Sequence, residues 1–117
     1  MKTPKRIQLS RKRGWKMPPN TVKIDRSTPW GNPFVVGWHG TQQECVDLYI
    51  HLLSGRLCVS MDNIAQQRKA RAYVAGLAHL LRGKNLACWC RIGTPCHGDV
   101  LLRFAEMKTN VVEVTRR

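Results

Sequence analysis

The stretch from Leu86 to Leu102 constrains the fold of this chain more than any other, because it reads as a buried strand, a tight turn and a helix start in direct succession. The apolar run Leu86-Ala87-Cys88-Trp89 is short and follows a helix stop at Gly83, which favours a buried strand over a further helix. Thr94 is placed to supply an N-cap oxygen, with Pro95 at the first helical position, where its missing N–H costs nothing. Cys96 and His97 then fall in the first helical turn, whose free N–H groups favour a bound anion or a thiolate at Cys96. Corners of this kind carry the ligand sites of open α/β sheets.

Ahead of this corner the chain supplies the remaining parts of a small α/β layer. Ile7-Gln8-Leu9 and Thr21-Val22-Lys23-Ile24-Asp25 alternate as short strands, separated by the rigid Met17-Pro18-Pro19-Asn20 break. Two prolines with Gly31 and Asn32 make the Arg26 to Phe34 block a shaped loop. Val35-Val36-Gly37-Trp38 is expected to extend the sheet. Thr41-Gln42-Gln43-Glu44 is a capping box that opens a helix with Cys45, Leu48, Tyr49, Leu52 and Leu53 on its core face, stopped by Ser54-Gly55. Asp62 or Asn63 caps a second helix carrying Ala70, Tyr73, Val74, Leu77, Leu80 and Leu81 at the same period. After the corner, Leu101, Phe104 and Ala105 continue a third helix, Val111-Val112-Glu113-Val114 is expected to return as an edge strand, and Arg116 and Arg117 to fray. The expected fold is one α/β domain over residues 1–117, with a small, mixed and mostly parallel sheet, about three helices and a loosely Rossmann-like layout.

Two blocks of this sequence carry a resemblance. Ala87-Cys88-Trp89-Cys90, a polar turn, Pro95-Cys96-His97, Gly98, Asp99 and Val100-Leu101-Leu102 form one; Arg26-Ser27-Thr28-Pro29-Trp30-Gly31-Asn32-Pro33-Phe34 forms the other, with Ser27 where the pattern usually has proline. Together with Arg6-Ile7-Gln8-Leu9-Ser10-Arg11 they make the chain resemble domain of unknown function family four-three-two-six. That resemblance implies a small α/β domain of phage and bacterial genomes and assigns no reaction.

The formal charge of +13 attracts polyanions and makes their binding steeply salt-dependent, so nucleic acid or a nucleotide is the expected partner. A generally basic, solvated surface is the alternative. Nine of the twenty basic residues lie in the first 26 positions, and residues 1–20 form a basic segment. Within it Arg6, Arg11, Lys12, Arg13, Trp15 and Lys16 are the candidate nucleic-acid contacts, cations for phosphates and an indole for a base. Absence of an eighteen-residue apolar run or an apolar N-terminal segment leads us to expect a cytoplasmic protein with no membrane contact. Five unevenly spaced cysteines in that compartment fit thiols or a metal site better than disulfides.

Three readings compete for Cys88, Cys90, Cys96 and His97. Zinc needs four N or S ligands, and these supply them, but adjacent Cys96 and His97 point about 100° apart on a helix, so zinc is possible but disfavoured and no other cofactor is expected. A pocket would use Cys96 and His97 as the candidate catalytic groups, with Arg26, Trp30, Asn32, Cys90, Cys96, His97 and Asp99 lining it. In that reading Arg26 and the helix start hold a phosphate, Trp30 stacks a ring and Asn32 reads its edge. Simple packing is the third reading, and for the loop it has Trp30 plugging the core and Asn32 bonding its own turn. The expectation for function is a phage-type nucleic-acid- or nucleotide-binding protein whose pocket lies between residues 26–34 and 90–99. The alternatives are an enzyme acting on a nucleotide, base or N-glycosidic bond, and an interaction protein that inhibits a host factor.

Overall fold

At the centre of the molecule, strand β3 (Asn85–Cys88) lies between β1 (Arg6–Gln8) and β2 (Thr21–Lys23), giving the sheet order β1-β3-β2. The computed structural model describes residues 4–115, with side chains described to residue 106; Lys2, Arg116 and Arg117 lie outside that range. Both pairings are parallel, with Leu86 opposite Arg6 on one side and Val22 on the other. Leu86, Ala87 and Cys88 are buried, as a central strand of a parallel sheet requires, because both of its faces are covered. The ladder runs past the strand ends through Leu9 N–H to Cys88 O and Ile24 N–H to Ala87 O, each 2.8 Å. The expected small α/β fold is present, and every strand pairing in this sheet is parallel rather than mixed.

Three helices complete the layers: α1 (Gln42–Leu53), α2 (Ile64–Leu77) and α3 (His97–Thr115). The capping box opens α1 as read, with Thr41 Oγ1 accepting from Glu44 N–H at 3.1 Å and Glu44 Oε1 accepting from Thr41 N–H at 2.8 Å. Cys45, Tyr49, Leu52 and Leu53 are buried on its inner face together with Val46. At α2 neither expected residue caps the helix with its side chain. Asn63 holds the cap position but donates to Pro33 O at 2.9 Å and accepts from Gln67 Nε2 at 2.8 Å. Gln67, fully buried, also bonds both the N–H and the C=O of Cys58, pinning the link between α1 and α2. A 3-10 turn, Ala78–Leu81, extends α2 toward Gly83, whose φ of 74° reverses the chain into β3. α3 packs on β1, on β3 and on that turn.

Two expected strands do not form. Val36 makes a single isolated bridge to Gly40 and Trp38 is exposed, because Gly37 and Gly40, both at positive φ, turn the chain away from the sheet. Residues 111–114 are helical. Extending an existing helix adds one hydrogen bond per residue, and that gain exceeds the few tenths of a kcal/mol by which valines disfavour helix.

Candidate functional site

Because the three strands run parallel, their carboxyl ends open on one edge of the sheet, and both motif blocks leave from that edge. Asp25, just past β2, starts the first. Its Oδ1 accepts from the Ser27 hydroxyl at 2.6 Å and the Ser27 N–H at 3.2 Å, while Thr28 Oγ1 donates to Asp25 O at 2.8 Å. Arg26 folds back to donate to the carbonyls of Asn32 and Phe34. Gly31 is required where the loop doubles back, since a Cβ there would lie 2.6 Å from Arg26 Cα.

The polar and aromatic residues of this loop are consumed by the scaffold more than the pocket reading expects. Trp30 is buried, edge-on to Tyr73 at 4.8 Å, and its carbonyl accepts from Tyr49 Oη at 2.9 Å. Asn32 is 5% exposed; its Nδ2 donates to Cys45 O at 3.0 Å and its Oδ1 accepts from Phe34 N–H at 2.9 Å. Trp30 is held in the core and both ends of the Asn32 amide bond the backbone, so both side chains stabilise the loop and the core, as the packing reading has it.

At the second block the helix starts later than the sequence suggests. Thr94 Oγ1 donates to Arg91 O at 2.6 Å, closing a turn around Gly93 at φ 91°, and α3 starts only at His97, so Thr94 lies two residues ahead of the cap position. Cys96 takes that place, its Sγ accepting from Gly98 N–H at 3.3 Å. Gly98 lets the helix start approach the sheet: a Cβ there would meet Arg6 Cδ at 3.0 Å and Ile24 Cδ1 at 3.1 Å. His97 is buried beneath it, edge-on to Tyr49, with Nε2 2.6 Å from Ile24 O. A carbonyl oxygen only accepts, so Nε2 carries the proton and Nδ1 keeps a lone pair.

Cys88, Cys90 and Cys96 come together here as free thiols, with the sulfurs of Cys88 and Cys90 3.7 Å apart. The sulfurs of Cys88 and Cys96 and a ring nitrogen of His97 all lie within 4.8 Å of one another. The expectation that Cys96 and His97 diverge too far to share an ion does not hold: Cys96 precedes the regular helix, so the helical angle between neighbours does not apply to it. Its bonds to Cys90 and Cys96 hold Cys88 below the usual thiol range, whereas Cys96 is pushed up by its bonds to Cys88 and Cys90 and by burial. Burial also drives the His97 imidazole below its ordinary range.

Between the blocks lies a cleft of about 500 Å³ lined by Arg26, Asn32, Gln42, Trp89, Arg91 and, on its inner side, Cys90, Cys96 and His97. Five of the expected pocket residues, Arg26, Asn32, Cys90, Cys96 and His97, therefore share one cleft, while Asp99 lines other hollows and Trp30 is buried in the core. Asp99 faces outward and pairs with Arg6 at 3.6 Å. A separate hollow of about 420 Å³ between α1 and α3 is walled mainly by aliphatic and aromatic side chains such as Val46, Ile50, Leu53 and Phe104. It offers fewer convergent polar groups than the cleft, which is why the cleft is the candidate site.

Of the basic segment, Arg11, Lys12, Arg13 and Lys16 are exposed and Trp15 is half-buried. Arg6 is not part of that surface: its guanidinium is buried and donates to Cys90 O at 2.8 Å and Arg91 O at 2.7 Å, clamping the turn above the thiols. Arg11 instead reaches the site, its guanidinium carbon 4.7 Å from the centre of the Trp89 ring.

Trp89 and Gln42 are cleft residues that sequence reasoning missed, whereas Arg91 falls within the expected 90–99 wall. Period-two alternation past Cys88 places Trp89 on the face opposite Cys88 and Cys90, a signal hidden by counting it in the buried run. Gln42 donates to Pro95 O and to Thr94 Oγ1 at 3.3 Å, joining α1 to the turn, and nothing local marks it. No helix among the described residues is long and apolar enough to cross a membrane. Comparison with curated proteins and with solved structures gives no match. The family model described as Domain of unknown function (DUF4326) matches residues 7–107, a span that holds both motif blocks and nearly every residue of the cleft edge. The chain belongs to the DUF4326 family.

Proposed function

We propose that the protein binds a phosphate-bearing nucleotide unit, free or within a nucleic-acid strand, at the cleft between the two motif blocks, with the basic N-terminal segment holding neighbouring phosphates. The observation that carries this reading is the rim of the cleft, where Arg26 and Arg91 stand with Trp89 and Arg11 beside them at the carboxyl edge of a parallel sheet. A guanidinium has five donors, and Arg26 spends two on loop carbonyls, which fixes it while leaving N–H groups for a phosphate. Trp89 is 41% exposed, with its indole N–H fixed, so it offers a ring edge and face to a base at low entropic cost. The charge of +13 supplies the long-range attraction.

Titrating single-stranded DNA, single-stranded RNA and nucleoside phosphates while following tryptophan fluorescence tests this reading. Quenching that is lost in Trp89→Leu and weakens steeply with salt is expected. Saturable binding by none of the three at low salt overturns it.

A further inference from the structure

We propose that Cys88, Cys90, Cys96 and His97 form a closed tetrahedral site for a divalent ion of borderline softness, Zn2+, which fastens the end of β3 to the start of α3.

Geometry supports it first. Metal–sulfur bonds of about 2.3 Å put two sulfurs of a tetrahedral zinc roughly 3.8 Å apart. The sulfurs of Cys88 and Cys96 with a His97 ring nitrogen fall within 4.8 Å of one another, and Cys90, outside that tight group of three, stands 3.7 Å from Cys88 as the fourth ligand in reach. Cys88 and Cys90, two residues apart at the end of a strand, project to one side, and the turn through Gly93 returns Cys96 and His97 to the same place.

The surroundings are those that orient metal ligands. A ligating histidine generally donates its second ring N–H to a carbonyl or carboxylate. Here Nε2 meets Ile24 O at 2.6 Å, which leaves Nδ1 as the nitrogen with a free lone pair. Gly98 N–H points at Cys96 Sγ, the bond a coordinated thiolate accepts. Three thiolates on a divalent ion leave one net negative charge, and the Arg6 guanidinium is buried beside them, bonded to the carbonyls of Cys90 and Arg91. Without an ion three thiols crowd one small volume; with one they share a single centre. Because protein groups fill all four positions, the site is structural and leaves the cleft free for its own ligand.

Protein purified without chelator from zinc-supplemented medium is expected to carry about one zinc per chain by elemental analysis, with three cysteines shielded from a thiol reagent until a strong chelator is added. Protein produced with Co2+ instead is expected to show a tetrahedral spectrum with thiolate-to-cobalt charge transfer. Cys90→Ser, at the half-buried ligand, is expected to remove roughly a third of that intensity, one thiolate of three. Cys58→Ser, away from the site, should leave it unchanged. Zinc well below one equivalent, with all thiols reacting alike before and after chelation, overturns the proposal. So does a full equivalent whose cobalt spectrum Cys90→Ser does not alter. If Cys90→Ser does not fold, metal content and chelator-dependent thiol release of the unmodified chain decide the matter.

Discussion

Trp89 Nε1 donates to Asp25 Oδ2 at 2.8 Å, a bond spanning 64 residues that joins the end of β3 to the loop leaving β2. The same carboxylate holds Ser27 and stands 3.8 Å from the Lys23 ammonium, so one buried acid organises both motif blocks. Replacing it by alanine strands the indole N–H and the Ser27 hydroxyl. Asp25→Ala is expected to cost about 1–3 kcal/mol, read by denaturant unfolding, because donors in a closed site lose their acceptor.

Trp89→Leu acts on fold and binding by different amounts. Two fifths of this residue is exposed, so the loss in unfolding stability should come mainly from the missing bond to Asp25, about 1 kcal/mol. Affinity for a single strand should fall by about 1–3 kcal/mol, the scale of one base stacked on an aromatic ring, measured by fluorescence anisotropy of labelled oligonucleotide. Unchanged affinity would remove Trp89 from the site.

Salt dependence distinguishes the two kinds of N-terminal arginine. Replacing Arg11, Lys12 and Arg13 together by alanine is expected to flatten log affinity against log salt by roughly two to three units, near one per lost phosphate contact. Arg6→Ala should act on stability instead, since it leaves the carbonyls of Cys90 and Arg91 without their buried donor.

Asn32→Ala is a stability variant rather than a binding variant. Its amide is the partner of Cys45 O and Phe34 N–H, both far from water. A loss of about 1–3 kcal/mol is expected in thermal or denaturant unfolding, with any change in affinity following the loop's disorder. A stable variant that no longer binds would restore Asn32 to direct ligand contact.

Alkaline pH should expose Tyr49. Burial holds its hydroxyl well above the ordinary tyrosine range. With the folded value raised, its contribution is complete below about pH 10, the ordinary tyrosine value, and declines as pH rises beyond it. Tyr49→Phe should cost about 1 kcal/mol at neutral pH through the lost bond to Trp30 O, and should remove that share of the alkaline decline in unfolding free energy.

What the sequence determined by itself was local. Thr41 and Glu44 close a capping box whatever surrounds them, the inner face of α1 follows from a 3.6-residue period, and the short apolar run at Leu86 is buried wherever a sheet forms around it. The two motif blocks were also legible as the site's raw material. The tertiary structure decided how each polar group is spent, because the deciding partners are distant in the chain: Cys45 O for Asn32, the Cys90 and Arg91 carbonyls for Arg6, Asp25 for Trp89. Spacing alone also separated Cys96 and His97 from Cys88 and Cys90. The turn at Gly93 and the late start of α3 bring them together, since where a helix begins depends on which groups satisfy its first N–H bonds, and here that group is the sulfur of Cys96.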